Sequence, residues 1–160
     1  MILSEKNKFS LLLIYFLIRF TRVAASQTLP FGHISVEEGL SNSFVNCLIQ
    51  DRTGFIWFGT DDGLNRFDGY ELKVYRNIPA DEESLSENII WALWEDHSGN
   101  IWIGTKTSGL NKYDPVTDKF KHWDLDSEST EETNITCLYE DSQQNIWIGT
   151  YRNGLYRFDP

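Results

Sequence analysis

Short apolar runs recur along this chain on a fixed beat. They fall at residues 44–49, 89–94 and 135–139, and each leads into a polar tight turn: Asp51-Arg52-Thr53-Gly54, Asp96-His97-Ser98-Gly99 and Asp141-Ser142-Gln143-Gln144. An Asp that opens a turn accepts hydrogen bonds from backbone N–H groups, and a closing Gly tolerates positive φ. Gln144 holds the glycine position in the third copy and should cost up to ~1 kcal/mol if that φ is kept. Residues 55–60, 100–105 and 145–150 follow, rich in aromatic and β-branched side chains as strands are. A turn ending in Gly-Leu (Gly63-Leu64, Gly109-Leu110, Gly154-Leu155) opens a third strand in each copy. A fourth is expected at 71–75 and 120–124. No helical periodicity appears after the first 26 residues.

The beat is 45 residues: Trp57, Trp102 and Trp147 share it, as do Asp51, Asp96 and Asp141 and the glycines Gly59, Gly104 and Gly149. A period of 20–50 residues marks a repeat architecture whose units bury their apolar faces only against neighbours. Four short antiparallel strands per period make a β-propeller blade. The expected fold is therefore all-β, with about three blades (near 40–76, 85–124 and 132–160) of an incomplete, seven-bladed propeller. The repeated Trp is expected to pack between neighbouring blades, the Asp to form its turn, and the Gly to allow close backbone approach. Residues 77–84 and 125–133, polar and acidic, are expected as connecting loops. Phe31-Gly-His-Ile-Ser35 resembles Phe120-Lys-His-Trp-Asp124, so residues 31–36 are expected as a lone outer strand that closes the last blade of a full ring. Cys47 and Cys137 occupy one strand position two units apart, where Ala92 stands in the middle copy. Equivalent atoms so placed lie far beyond the ~7 Å limit for a disulfide, and both are expected as buried small hydrophobes.

Charge divides the chain. Residues 1–26 carry Lys6 and Lys8, then an apolar run at 9–18, then Val23-Ala24-Ala25-Ser26, the order of a secretory signal peptide. A retained membrane anchor is the rival, although the apolar run is about half of the ~20 residues a span requires. Without that segment, residues 27–160 hold 10 Lys+Arg against 23 Asp+Glu. Such acidity argues against nucleic acid, whose phosphates need basic partners.

Leu40-Ser-Asn, Ile49-Gln-Asp51, Gly54-Phe-Ile-Trp57-Phe-Gly59-Thr60 and Gly63-Leu-Asn-Arg-Phe-Asp-Gly69 together resemble the two-component regulator propeller repeat, and the two later copies match it too. The resemblance covers residues 31–160. It implies the exported, periplasmic sensor region of a hybrid two-component regulator of Bacteroidetes-type bacteria, ahead of a transmembrane helix and cytoplasmic histidine kinase, receiver and DNA-binding modules. It further implies oligosaccharide ligands, control of polysaccharide-utilisation genes, the remaining blades of the parent propeller as partners, and a homodimeric parent.

The residues themselves carry no catalytic constellation. No nucleophile–base pair, phosphate-binding glycine loop or clustered metal ligands appear, so catalytic residues, metal and cofactors are all expected to be none. The turns between second and third strands vary inside a fixed frame, as recognition loops do; Asp61, Asp62, Lys106, Tyr151 and Arg152 are the ligand-binding candidates. Two rival functions stay open: a structural or protein-interaction propeller without a small ligand, and a propeller lyase or hydrolase acting on polysaccharide.

Overall fold

In the computed structural model, residues 31–125 and 133–159 are described. The chain divides into Met1–His33 and Ile34–Pro160, and everything below concerns the second unit. The expected signal peptide lies outside the described residues, as does most of the loop at 125–133.

Among the described residues, eleven strands form three antiparallel sheets in chain order. Blade 1 runs β1 (Val45–Gln50), β2 (Ile56–Thr60), β3 (Gly63–Phe67) and β4 (Leu72–Tyr75). Blade 2 runs β5 (Ile90–Glu95), β6 (Ile101–Thr105), β7 (Leu110–Asp114) and β8 (Lys119–Trp123), and blade 3 runs β9 (Ile135–Glu140), β10 (Ile146–Thr150) and β11 (Leu155–Phe158). The registers repeat: Cys47 faces Gly59, Ala92 faces Gly104 and Cys137 faces Gly149, with a shift just before each pair.

Val36–Glu38 is a 3-10 turn closed by a Ser35–Glu38 capping box and Gly39 in the left-handed region. Residues 31–35 carry no strand here; the outer strand expected at 31–36 closes the last blade of a full ring, and that blade is not among the described residues. One expectation is corrected, that both cysteines are buried. Cys137 is exposed and Cys47 half-buried, both free thiols. Only Cys47 has a neighbouring blade over it, and there burial pushes its thiol up to about 12.

Two apolar cores lie between the sheets. The first joins Trp57, Leu64 and Tyr75 of blade 1 to Ile90, Leu93, Ile101, Ile103, Tyr113 and Phe120 of blade 2. The second joins Ala92, Trp102 and Leu110 to Ile135, Leu138, Ile146 and Ile148 of blade 3. The connections also contribute. Leu40 and Leu85 are buried, and the serine after each docks on a fully buried Asn of the third strand: Ser41 N on Asn65 Oδ1 (2.9 Å) and Ser86 N on Asn111 Oδ1 (3.0 Å). The 77–84 loop thus ends in a core residue.

Candidate functional site

The repeated Asp is a hub. In blade 2, Asp96 Oδ1 accepts the N–H groups of Ser98 (2.9 Å) and Asn100 (2.8 Å), while Oδ2 accepts Asn100 Nδ2 (2.8 Å) and Trp102 Nε1 (2.9 Å). Asp141 does the same for Gln143, Asn145 and Trp147 Nε1 (2.8 Å). Asp51 holds Trp57 Nε1 at 2.7 Å. One carboxylate therefore ties the turn to the indole six residues on. Burial pushes the carboxyls of Asp51 and Asp96 upward, but these donors outweigh it and both sit below the usual range. The Trp147 and Asn145 donors hold Asp141 down at about 2. A carboxylate so saturated is a poor proton carrier, which fits construction better than catalysis.

The other repeated residues build turns and joints. Thr60, Thr105 and Thr150 donate from Oγ1 to the carbonyls of Gly63, Gly109 and Gly154 at 2.8–2.9 Å, closing each turn between second and third strands. Gly59 leaves room for Ile90 of the next blade, since a Cβ there would lie 2.7 Å from Ile90 Cγ2. Gly104 does this for Ile135. Each buried indole spans a joint: Trp57 packs 5.0 Å from Tyr113 and Trp102 5.5 Å from Phe158, ring centre to ring centre. Polar contacts repeat as well. Arg52 reaches Glu95 (Nε–Oε1 2.6 Å), and His97 meets Glu140 through both its backbone N–H and its ring.

The ligand-binding candidates sit at the opposite end of the blades from these Asp turns. Asp61 Oδ1 accepts Asn46 Nδ2 (2.8 Å), and the same amide reaches the Ile90 carbonyl of blade 2 (3.1 Å). Asp62 pairs with Arg76 at 3.0 Å. Lys106 Nζ lies 5.9 Å over the Trp91 ring, and Arg152 lies 5.3 Å over exposed Tyr151. Each charged candidate thus meets a partner in its own blade.

A cleft that the sequence reading missed opens at the Asp-turn end between blades 1 and 2. It encloses about 350 Å³, and its walls include Phe55, Arg66, Tyr113 and Pro115. One irregularity signals it: Phe55 stands where Asn100 and Asn145 stand in the other copies. Among the described residues no group of His, Cys, Asp and Glu is arranged to hold a metal.

Successive antiparallel sheets, two of four strands and one of three, joined through Trp, Gly and Asp stations define a run of β-propeller blades. The repeat family described as the two component regulator propeller matches residues 39–62, 84–107 and 131–152, one stretch per blade. Each of the three blades thus carries a match to the two-component regulator propeller repeat. The extracellular domain assigned to the hybrid two component system BT3049 of B. thetaiotaomicron is 30% identical, with a TM-score of 0.70 over 80% of this chain. That assigned to BT4673 of the same organism is 27% identical, with a TM-score of 0.62 over 77%. Histidine kinase P4 of Formosa agariphila is 42% identical over 73 residues, 46% of this chain. The chain spans only 18%, 16% and 5% of these three proteins respectively.

Proposed function

We propose that the chain forms part of the exported, periplasmic sensor region of a hybrid two-component signalling protein. In that reading its blades pack against the remaining blades of a longer propeller within a homodimeric parent. They help to present an oligosaccharide-recognising surface, with Asp61, Asp62, Lys106, Tyr151 and Arg152 on the variable turns, and perform no chemistry themselves. The parent would pass occupancy to genes for polysaccharide use. The observation that carries this reading is the match to the BT3049 extracellular domain across 80% of the chain, together with a family repeat in each blade. The acidic balance of residues 27–160 supports it too, since it suits neither nucleic acid nor an anionic membrane surface. An antibody raised against residues 34–159 tests it on fractionated source cells. A membrane-bound band far larger than a 160-residue chain, cleaved by protease once the outer membrane is permeabilised, is expected. A soluble cytoplasmic product of this chain's own size would contradict it.

A further inference from the structure

We infer that the cleft between blades 1 and 2 binds a carboxylate carried on a ring with a flat apolar face. The inference rests on the cleft alone and stands whether or not the sensor reading holds.

The cleft exists where the repeat is broken. Blades 2 and 3 fill this corner with Asn100 and Asn145, whose amides donate to Asp96 and Asp141. Blade 1 places half-buried Phe55 there instead, and Thr53 Oγ1 supplies Asp51 with a side-chain donor at 2.6 Å. The phenyl ring thereby lines, with Tyr113 and Pro115, a cleft of about 350 Å³, within the range of small-ligand clefts. Flat apolar walls of this kind suit the face of a ring.

The polar groups of the cleft are unevenly satisfied. Both Glu95 oxygens are taken by Arg52, one by its backbone N–H at 3.0 Å and one by its side chain. Asp51 is filled by the turn N–H groups and Trp57. Arg66 differs. Its Nη1 reaches only the Tyr113 hydroxyl at 3.3 Å, its guanidinium lies 4.6 Å over Phe55 and 5.7 Å over Trp57, and it makes no ion pair among the described residues. Asp68 feels its charge without pairing to it. The capacity left over in the cleft is therefore that of a donor fork, whose planar geometry matches a carboxylate. A uronic acid and an aromatic carboxylic acid share this chemistry.

Titration of the full chain with D-glucuronate and, separately, 4-hydroxybenzoate tests the inference, with glucose and phenol as uncharged counterparts. Binding is read from two-dimensional NMR shifts of Phe55, Arg66 and Tyr113. One acid should saturate these shifts at millimolar concentration and bind at least about tenfold more tightly than its counterpart, as a charge-assisted bond implies. Which acid binds decides between sugar and aromatic sources. Phe55→Asn installs the residue the other blades use, so it should keep the fold while abolishing saturation; Arg66→Gln should weaken binding about tenfold. If neither acid shifts these signals, or if Arg66→Gln binds as the wild type does, the inference is wrong.

Discussion

Blade 2 and its two neighbours are built from nearly the same residues, yet they live in different surroundings. Leu93 of blade 2 and Leu138 of blade 3 are 7% and 8% exposed, whereas their counterpart Leu48 in blade 1 is 64% exposed. At the opposite face, Leu64 and Leu110 are fully buried and Leu155 of blade 3 is 64% exposed. Identical side chains at identical strand positions therefore owe their burial to the adjacent blade rather than to their own sheet. A blade is half of two interfaces, and only blade 2 has both completed among the described residues. That is the physical content of a repeat fold: stability resides in nearest-neighbour joints.

The contrast can be broken most sharply at the glycines. Gly104→Ala would drive a Cβ into Ile135 across the joint and to 3.1 Å from Ala92, and should cost about 2–3 kcal/mol. Gly149→Ala meets the sulfur of exposed Cys137, which can rotate away; it should cost below ~1 kcal/mol. Urea unfolding of the two variants separates them. Next in size, Leu93→Ala should lose about 2–4 kcal/mol, while Leu48→Ala should stay within ~0.5 kcal/mol of the parent. Equal losses at both leucines would deny that the joint is the source of burial.

Acid should act on all three blades through the Asp hubs. The carboxyls of Asp51, Asp96 and Asp141 lie below their unfolded values. Asp118 falls to about 2, chiefly through Lys73. Groups that hold protons more weakly when folded contribute stability above the unfolded pKa, near ~4, and lose it as pH falls through the folded value. The urea midpoint should thus be flat near neutrality and drop between roughly pH 4 and 2. Asp96→Asn, which still accepts turn N–H groups but loses the charge, should make that drop shallower.

The smallest effect concerns the turn that departs from the repeat. Gln144 adopts φ 71° where Gly54 and Gly99 adopt 97° and 87°. Gln144→Gly should therefore stabilise by up to ~1 kcal/mol, and Gly99→Gln should destabilise by at least as much. A melting-temperature shift of the opposite sign in either would show that the turn's side-chain bonds outweigh its backbone preference.

Much of this was legible in the sequence because the repeat states each signal three times. Strand positions follow from Gly and Asp punctuation to within a residue or so. The six-residue interval from Asp to Trp was equally visible, but as two separate 45-residue spacings; the hydrogen bond joining them needed the register, which turns the indole edge back toward its own turn. Single-copy features were harder. Cys137 reads as buried by analogy with Ala92, and its exposure depends on what covers the blade. Leu85 sits at the end of a polar loop and carries no period-two pattern, so its place in the core was hidden until Leu40 was seen to match it. Phe55 looked like one more aromatic in an aromatic strand, although its departure from Asn100 and Asn145 marked the cleft.

Amide hydrogen exchange on the full chain tests the nearest-neighbour claim most directly. If the joints carry the stability, the amides of β5, β6 and β7 exchange more slowly than their register equivalents in β1–β3 and β9–β11. Protection that is equal across the three blades, or lowest in blade 2, would mean that each sheet stands on its own and that the joints are incidental.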